Sequence, residues 1–226
     1  MNSPRPSITH QLNVTLTITT MSLLVTGLYA YLRYVHFGPI PESRIPLYVS
    51  NKAISWSSVV LLSITFALGP ASTLIHRCRL WLIYRKLLGL TGAWLATLHI
   101  LASLPIFNMF YYTAFFNFDG TLKVNTELSM LAGAIAWCLL LVPAIMSIPD
   151  AAAAVTPKEW QRFQRLGLLA LYVTFGHVAW LGWQGWFEPQ TWHGDLPPIT
   201  LLSCGLVALV ALLRVIGKAA RKRTDE

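Results

Sequence analysis

Two histidines lie deep inside apolar runs of this chain. His99 sits in Arg85-Lys86-Leu87-Leu88-Gly89-Leu90-Thr91-Gly92-Ala93-Trp94-Leu95-Ala96-Thr97-Leu98-His99-Ile100-Leu101-Ala102-Ser103-Leu104, a run headed by two basic residues. His177 follows Gln164-Arg165-Leu166-Gly167 in a second run of the same design. A histidine in the interior of a membrane helix is costly unless something satisfies it. His99 lies 13 residues beyond Lys86, and His177 lies 13 residues beyond Gln164. At about 1.5 Å per helical residue, both imidazoles sit roughly 20 Å from the same membrane face, in the outer half of the core. Two imidazoles at one depth on parallel helices can clamp one haem iron, a metal for which histidine is a suitable axial ligand. With both axial positions taken, no iron site remains for substrate, so the chemistry expected is electron transfer.

The elements that position these histidines follow from composition. The 226 residues are 55% hydrophobic and only 12% charged, against about 25% charged residues in a soluble domain. Mean hydropathy is +0.55. The expectation is an all-α integral membrane protein, a six-transmembrane-helix bundle. Its spans fall at about 13–35, 56–76, 86–107, 128–148, 163–187 and 198–217, each near the roughly 20 residues that a bilayer core requires. Residues 1–226 form one membrane domain ending in a basic cytoplasmic tail, 218–226, suited to anionic headgroups. The net charge of +8 is carried at the ends of apolar runs, a placement that fits membrane topology and not nucleic acid. With the N-terminus inside, thirteen basic residues face the inner side (Arg5; Arg77, Arg79, Arg85, Lys86; Lys158, Arg162, Arg165; Arg214, Lys218, Arg221, Lys222, Arg223). Four (Arg33, Arg44, Lys52, Lys123) face out. The positive-inside bias therefore places both termini in the cytoplasm. The first run lacks a small-residue cleavage site and reads as a retained helix.

Other signals are local. No Asp or Glu falls inside the six expected spans, which argues against an ion- or proton-coupled transporter. Cys78, Cys138 and Cys204 form no CxxC or CxxCH motif, so a zinc site or covalent haem attachment is not expected, and small buried residues are. His10, His36, His76 and His193 fall at or beyond the span ends and read as solvated or interfacial. Gly69-Pro70 and Pro143 mark kinks, and Asp195-Leu196-Pro197-Pro198 leads into the sixth span, with proline in its first turn. Trp180, Trp183, Trp186 and Trp192 resemble an aromatic belt. The aromatic segment 108–127 reads as an interfacial piece or an outer cover for the haem. Around His99, the residues Gly92, Ala96, Ala102 and Ser103 stand at i±3, i±4 and i±7; Ala170, Val173 and Thr174 flank His177. Small side chains there leave space for a flat macrocycle, with Gly92, Ala96, Ser103 and Thr174 as its packing residues. Equally, they let helices approach closely.

The residues Arg85-Lys86-Leu87-Leu88-Gly89-Leu90, Ala93-Trp94 and Ala96-Thr97-Leu98-His99 resemble the third helix of the ferric reductase-like transmembrane family. The similarity is greatest to the haem-binding membrane subunit of the bacterial periplasmic methionine sulfoxide reductase system, the MsrQ type. Trp160-Gln161-Arg162-Phe163-Gln164-Arg165-Leu166, with His177 further on, resembles the matching fifth helix. The similarity covers roughly residues 55–187. It implies a b-type haem protein of the bacterial inner membrane that carries electrons outward from a cytoplasmic flavin (FMN or FAD). Two-haem relatives carry a second histidine about 13 residues before each of these. Here those positions fall near Lys86 and at Gln164, so one haem is expected, a pattern similar to the STEAP metalloreductases. In that reading Arg77, Arg79, Arg85, Lys86, Arg162, Gln164 and Arg165 form a flavin or donor site at the inner rim; plain positive-inside bias is the alternative. No GxGxxG motif follows a strand, so NAD(P)H is oxidised by a separate flavin reductase, or the donor is quinol. The acceptor is a periplasmic oxidoreductase or ferric iron. The rival readings are a haem-free six-span transporter or assembly factor, and a quinol-linked b-type cytochrome.

Overall fold

The computed structural model describes residues 6–225, with side chains described as far as Lys222. Arg5 and the side chain of Arg223, both counted above as inner charges, lie outside that description. The chain is 84% helical, and among the described residues the extended structure is one isolated bridge, Phe116 with Leu122. The long helices are α1 (Ile8–Tyr31), α2 (Ser50–Leu74), α3 (Arg85–Ser103), α4 (Val124–Ile145), α6 (Pro157–Trp186) and α7 (Ile199–Asp225), with a short α5 (Pro149–Ala153) between α4 and α6. With their flanking turns, six helices are long and apolar enough to cross a membrane. Large apolar side chains such as Leu16, Leu24, Trp94, Leu101, Leu131, Leu209 and Val215 point outward, an arrangement that lipid tolerates and water does not.

The helices run further than the hydropathy pattern alone suggests. α1 is capped by Ser7, whose hydroxyl accepts from the His10 amide at 3.2 Å. α6 opens with a capping box between Thr156 and Glu159 and Pro157 in its first turn, the arrangement that satisfies amides lacking helical partners. α7 begins at Ile199, one residue after Pro198, whose carbonyl accepts from the Leu202 amide at 3.2 Å. Its helical conformation continues into the basic tail. Pro70 and Pro143 both lie within continuous helices. Two π-helical turns, Leu32–His36 and Ile45–Val49, extend α1 and introduce α2 at the same end of the bundle. The second span therefore already includes Asn51 and Lys52, which the hydropathy reading leaves in a loop.

α2 is the hub. It packs on α1, α3 and α7, while α4 packs along α6. Between membrane helices there is no hydrophobic drive, so close backbone approach and hydrogen bonds do the joining. Asn51, Ser57, Ser58, Ser63, Thr65 and Ser72 are buried on α2. Thr26 Oγ1 donates to the Ala53 carbonyl at 3.1 Å and meets Ser57 Oγ at 2.8 Å. Ser58 Oγ donates to the Gly92 carbonyl at 2.8 Å. A Cβ at Gly92 would lie 2.9 Å from Leu62 Cγ, and one at Gly89 3.2 Å from Thr65 Cγ2. These glycines set how near α3 comes to α2.

At the end holding the π turns, an aromatic layer surrounds Tyr48, Val49, Trp56 and Ile199, with Tyr29, Tyr34, Tyr111 and Tyr112 packed against it. The Lys52 ammonium lies 4.7–5.7 Å from the ring centroids of Tyr48, Tyr34 and Tyr112. Each cation–π contact contributes roughly 0.5–2 kcal/mol, against several kcal/mol for removing an ion from water. The rings offset only part of that cost. Segment 108–127 folds over this layer, with Tyr112 stacked on Phe115 at 4.8 Å. Its turn is closed by Asp119, whose carboxylate accepts from the Thr121 hydroxyl and amide at 2.6 and 2.9 Å. Those bonds hold the exposed carboxyl below its ordinary pKa.

Gly167 sits where α2, α4 and α6 meet, and a Cβ there would lie 2.9 Å from Phe66 Cζ and 3.3 Å from Pro143 Cγ. Gly167→Leu should lower stability by about 1–3 kcal/mol through overpacking, read as a lower unfolding midpoint in detergent. Gly205→Leu, where a Cβ meets nothing within 4 Å, should leave the midpoint in place.

Candidate functional site

Both histidines are held by one scheme built from different parts. On α3, Ser103 Oγ donates to the His99 carbonyl at 2.7 Å. Its proton spent, that oxygen accepts from Asn51 Nδ2 at 3.0 Å. The amide orientation so fixed points Asn51 Oδ1 at His99 Nδ1, 2.7 Å away. An amide oxygen only accepts, so Nδ1 carries the ring proton and Nε2 is left with its lone pair.

On α6 the same result is reached through α4. Ser129 Oγ donates to the His177 carbonyl at 2.7 Å, and the Ser129 carbonyl accepts from His177 Nδ1 at 2.7 Å. That oxygen again has no proton to give, so Nδ1 is the protonated nitrogen. Neither Nε2 makes a hydrogen bond among the described residues. The His177 ring fits because position 133 is glycine: a Cβ there would lie 2.9 Å from Nδ1. Asn51 and Ser129 are 2% and 0% exposed, so each bond is protected from competing water. α3 and α6 pack chiefly on α2 and α4, not on each other.

The small residues divide by role. Gly92 faces Leu62 of α2, and Ser103 belongs to the His99 network. Ala96 is half-buried against the central core, and Thr174 Oγ1 donates back to the Ala170 carbonyl at 2.9 Å. Trp137 Nε1 donates to Thr97 Oγ1 at 3.0 Å, tying α4 to α3 two residues before His99. Asn51, Ser129, Gly133 and Trp137 were not among the candidates read from the sequence. Asn51 lies before the expected start of its span, while serine and glycine on α4 look like ordinary packing residues until the fold pairs them with His177.

At the other end of the bundle, Arg77 and Arg79 are exposed on the 3₁₀ connection His76–Tyr84, and Arg85 and Lys86 open α3. Arg85 Nε donates to the Thr65 carbonyl at 2.9 Å, and Arg79 Nε to that of Ser72 at 3.4 Å. Arg162 and Arg165 are exposed in the first turns of α6, and Gln164 Nε2 donates to the Pro143 carbonyl at 3.3 Å. His10, His36 and His76 are exposed and His193 is half-buried. Among the cysteines Cys204 is buried, Cys78 is half-buried and Cys138 is exposed on α4. The small-buried-residue reading therefore fails for Cys138, which turns towards lipid.

No family model matches the chain. It is similar to Metalloreductase STEAP2 of Homo sapiens, 26% identical over 200 residues that cover 76% of this chain and 41% of the relative. The STEAP2 metalloreductase of Mus musculus matches with the same identity and coverage. The chain thus spans about two fifths of the length of these curated relatives. This distant similarity over most of the chain supports a STEAP-like or ferric reductase-like relationship.

Asn51→Leu keeps the branched shape but removes the acceptor of His99 Nδ1 and the donor to Ser103. Leaving such groups unpaired in a buried site costs about 1–3 kcal/mol. A correspondingly lower unfolding midpoint in detergent is expected, with Asn51→Gln intermediate.

Proposed function

We propose that the chain is a transmembrane electron-transfer protein that holds one b-type haem between His99 and His177. The observation carrying this reading is the shared hydrogen-bond scheme. A histidine that merely joins helices spends both ring nitrogens on neighbours. Here each Nδ1–H is committed to an oxygen and each Nε2 lone pair is left over, the preparation an axial ligand needs. That orphaned pair, on neutral imidazoles of one tautomer, fits haem iron and weighs against the haem-free reading. A bound haem would supply one-electron chemistry at its iron.

The chain's own residues fix the remaining conditions. Asn51, Ser103 and Ser129 orient the rings, and Gly133 gives His177 room. Gly92 draws α3 against α2, while Ala96 and Thr174 present slim surfaces beside the ligand helices. Apolar packing around the site excludes water, which keeps reorganisation on electron transfer small.

The STEAP2 relatives are metalloreductases by name, so an extracytoplasmic metal ion such as ferric iron is one acceptor, and a periplasmic reductase partner is the other. Electrons enter from the inner rim, where Arg77, Arg79, Arg85, Lys86, Arg162, Gln164 and Arg165 offer a basic surface to flavin phosphate or an acidic donor protein. A cytoplasmic flavin reductase fills the donor role, or quinol replaces it. The basic bias supports a topology with both termini in the cytoplasm, in this reading across a bacterial inner membrane.

The test is the visible spectrum of detergent-purified protein, oxidised and dithionite-reduced, with haem stoichiometry measured beside it. One b haem per chain with a low-spin bis-imidazole spectrum is expected, lost in both His99→Ala and His177→Ala. Haem that survives either substitution, or none in the wild type, overturns the reading. For orientation, a fluorescent protein fused to the C-terminus should fluoresce while a periplasm-dependent phosphatase fused there stays inactive. The opposite pair of results reverses the direction of electron flow.

A further inference from the structure

Lys52 is the residue after Asn51, so it stands at the level of His99. Asn51 itself meets His99 Nδ1 at 2.7 Å. Lys52 faces the phenols of Tyr34, Tyr48 and Tyr112, and no carboxylate of the described residues answers it. The same layer holds a second cation that no carboxylate of the described residues answers. Arg33 is 6% exposed, its guanidinium carbon lies 5.6 Å from the Tyr34 ring centroid, and its Nε and Nη1 are buried without partners. The backbone on both sides of this layer departs into π-helical turns, Leu32–His36 and Ile45–Val49, a distortion that recurs at functional sites because it re-aims side chains.

Positive charge gathered inside a membrane protein without anionic side chains calls for an anionic ligand. We propose that Lys52, framed by Tyr34, Tyr48 and Tyr112, receives the carboxylate edge of the haem whose iron is held at His99. The inference rests on the haem reading above. Haem b carries two carboxylates on its rim, and in the outer half of a bilayer these need a counter-charge and donors. Lys52 supplies the charge, and the tyrosine hydroxyls supply further donors. Successive residues of one helix turn thus hold two parts of one ligand: Asn51 orients the axial histidine, and Lys52 neutralises the rim.

The experiment compares wild type, Lys52→Met and Lys52→Arg, each purified with haem b and each reconstituted with haem b dimethyl ester, which lacks the rim charges. The readouts are haem transfer to excess apomyoglobin and the midpoint potential at fixed pH. With native haem, Lys52→Met should lose haem about tenfold faster, the size expected for a charge-assisted hydrogen bond. Its potential should fall, because an uncompensated carboxylate favours ferric iron. Lys52→Arg should restore both. With the diester, wild type and Lys52→Met should lose haem at the same rate. Equal behaviour of wild type and Lys52→Met with native haem overturns the proposal while leaving the haem reading intact. A difference in loss rate that persists with the diester also overturns it, and assigns Lys52 to a different, freely bound anion. Wild type that binds no haem removes the reading on which it rests.

Discussion

The structure depends on spending each serine hydroxyl proton on the carbonyl of the histidine it serves. From that one bond the rest follows on the His99 side: the hydroxyl oxygen must accept, the Asn51 amide has one orientation, and Nδ1 holds the proton. On the His177 side the hydroxyl bond locks α4 to α6 in the register that brings the Ser129 carbonyl onto Nδ1. A histidine free to choose its tautomer would expose either nitrogen. Here the acceptors, an amide oxygen of Asn51 on one side and the Ser129 carbonyl on the other, cannot titrate, so the proton stays on Nδ1.

The bundle is arranged to keep those bonds dry and short. Each histidine helix is clamped to a different neighbour, α3 to α2 and α6 to α4, and glycines at 89, 92, 133 and 167 permit the close approach. Hydrogen bonds to small polar residues take the place of the hydrophobic drive that lipid removes. α2 carries most of this work because it touches α1, α3 and α7, and its buried Ser57 bonds to α1 while Asn51 and Ser58 bond to α3.

Much of the architecture was legible in the sequence because a bilayer imposes length and polarity directly. Six apolar runs and the basic residues at their ends follow from the pattern along single helices. What could not be read is what passes between helices. Asn51 and Lys52 are polar, so hydropathy assigned them to a loop, whereas α2 and its π-helical lead-in carry them into the bundle. Gly92 stood at the i−7 position from His99 and so looked equally suited to ligand packing or helix contact; its distance to Leu62 assigns it the second. Cys138 shows the same limit, since an apolar run does not reveal which of its faces meets lipid.

The two histidines are not equally open to change. His99 leans on a side chain, so one codon at position 51 alters what its Nδ1 meets. His177 leans on a main-chain carbonyl, which every residue at position 129 would supply. Descent and engineering can therefore adjust the site from the α2 side alone, while the α4 side acts as a fixed reference. Variation in this protein's relatives should be sought at the positions matching Asn51, where chemistry can drift without losing the bundle.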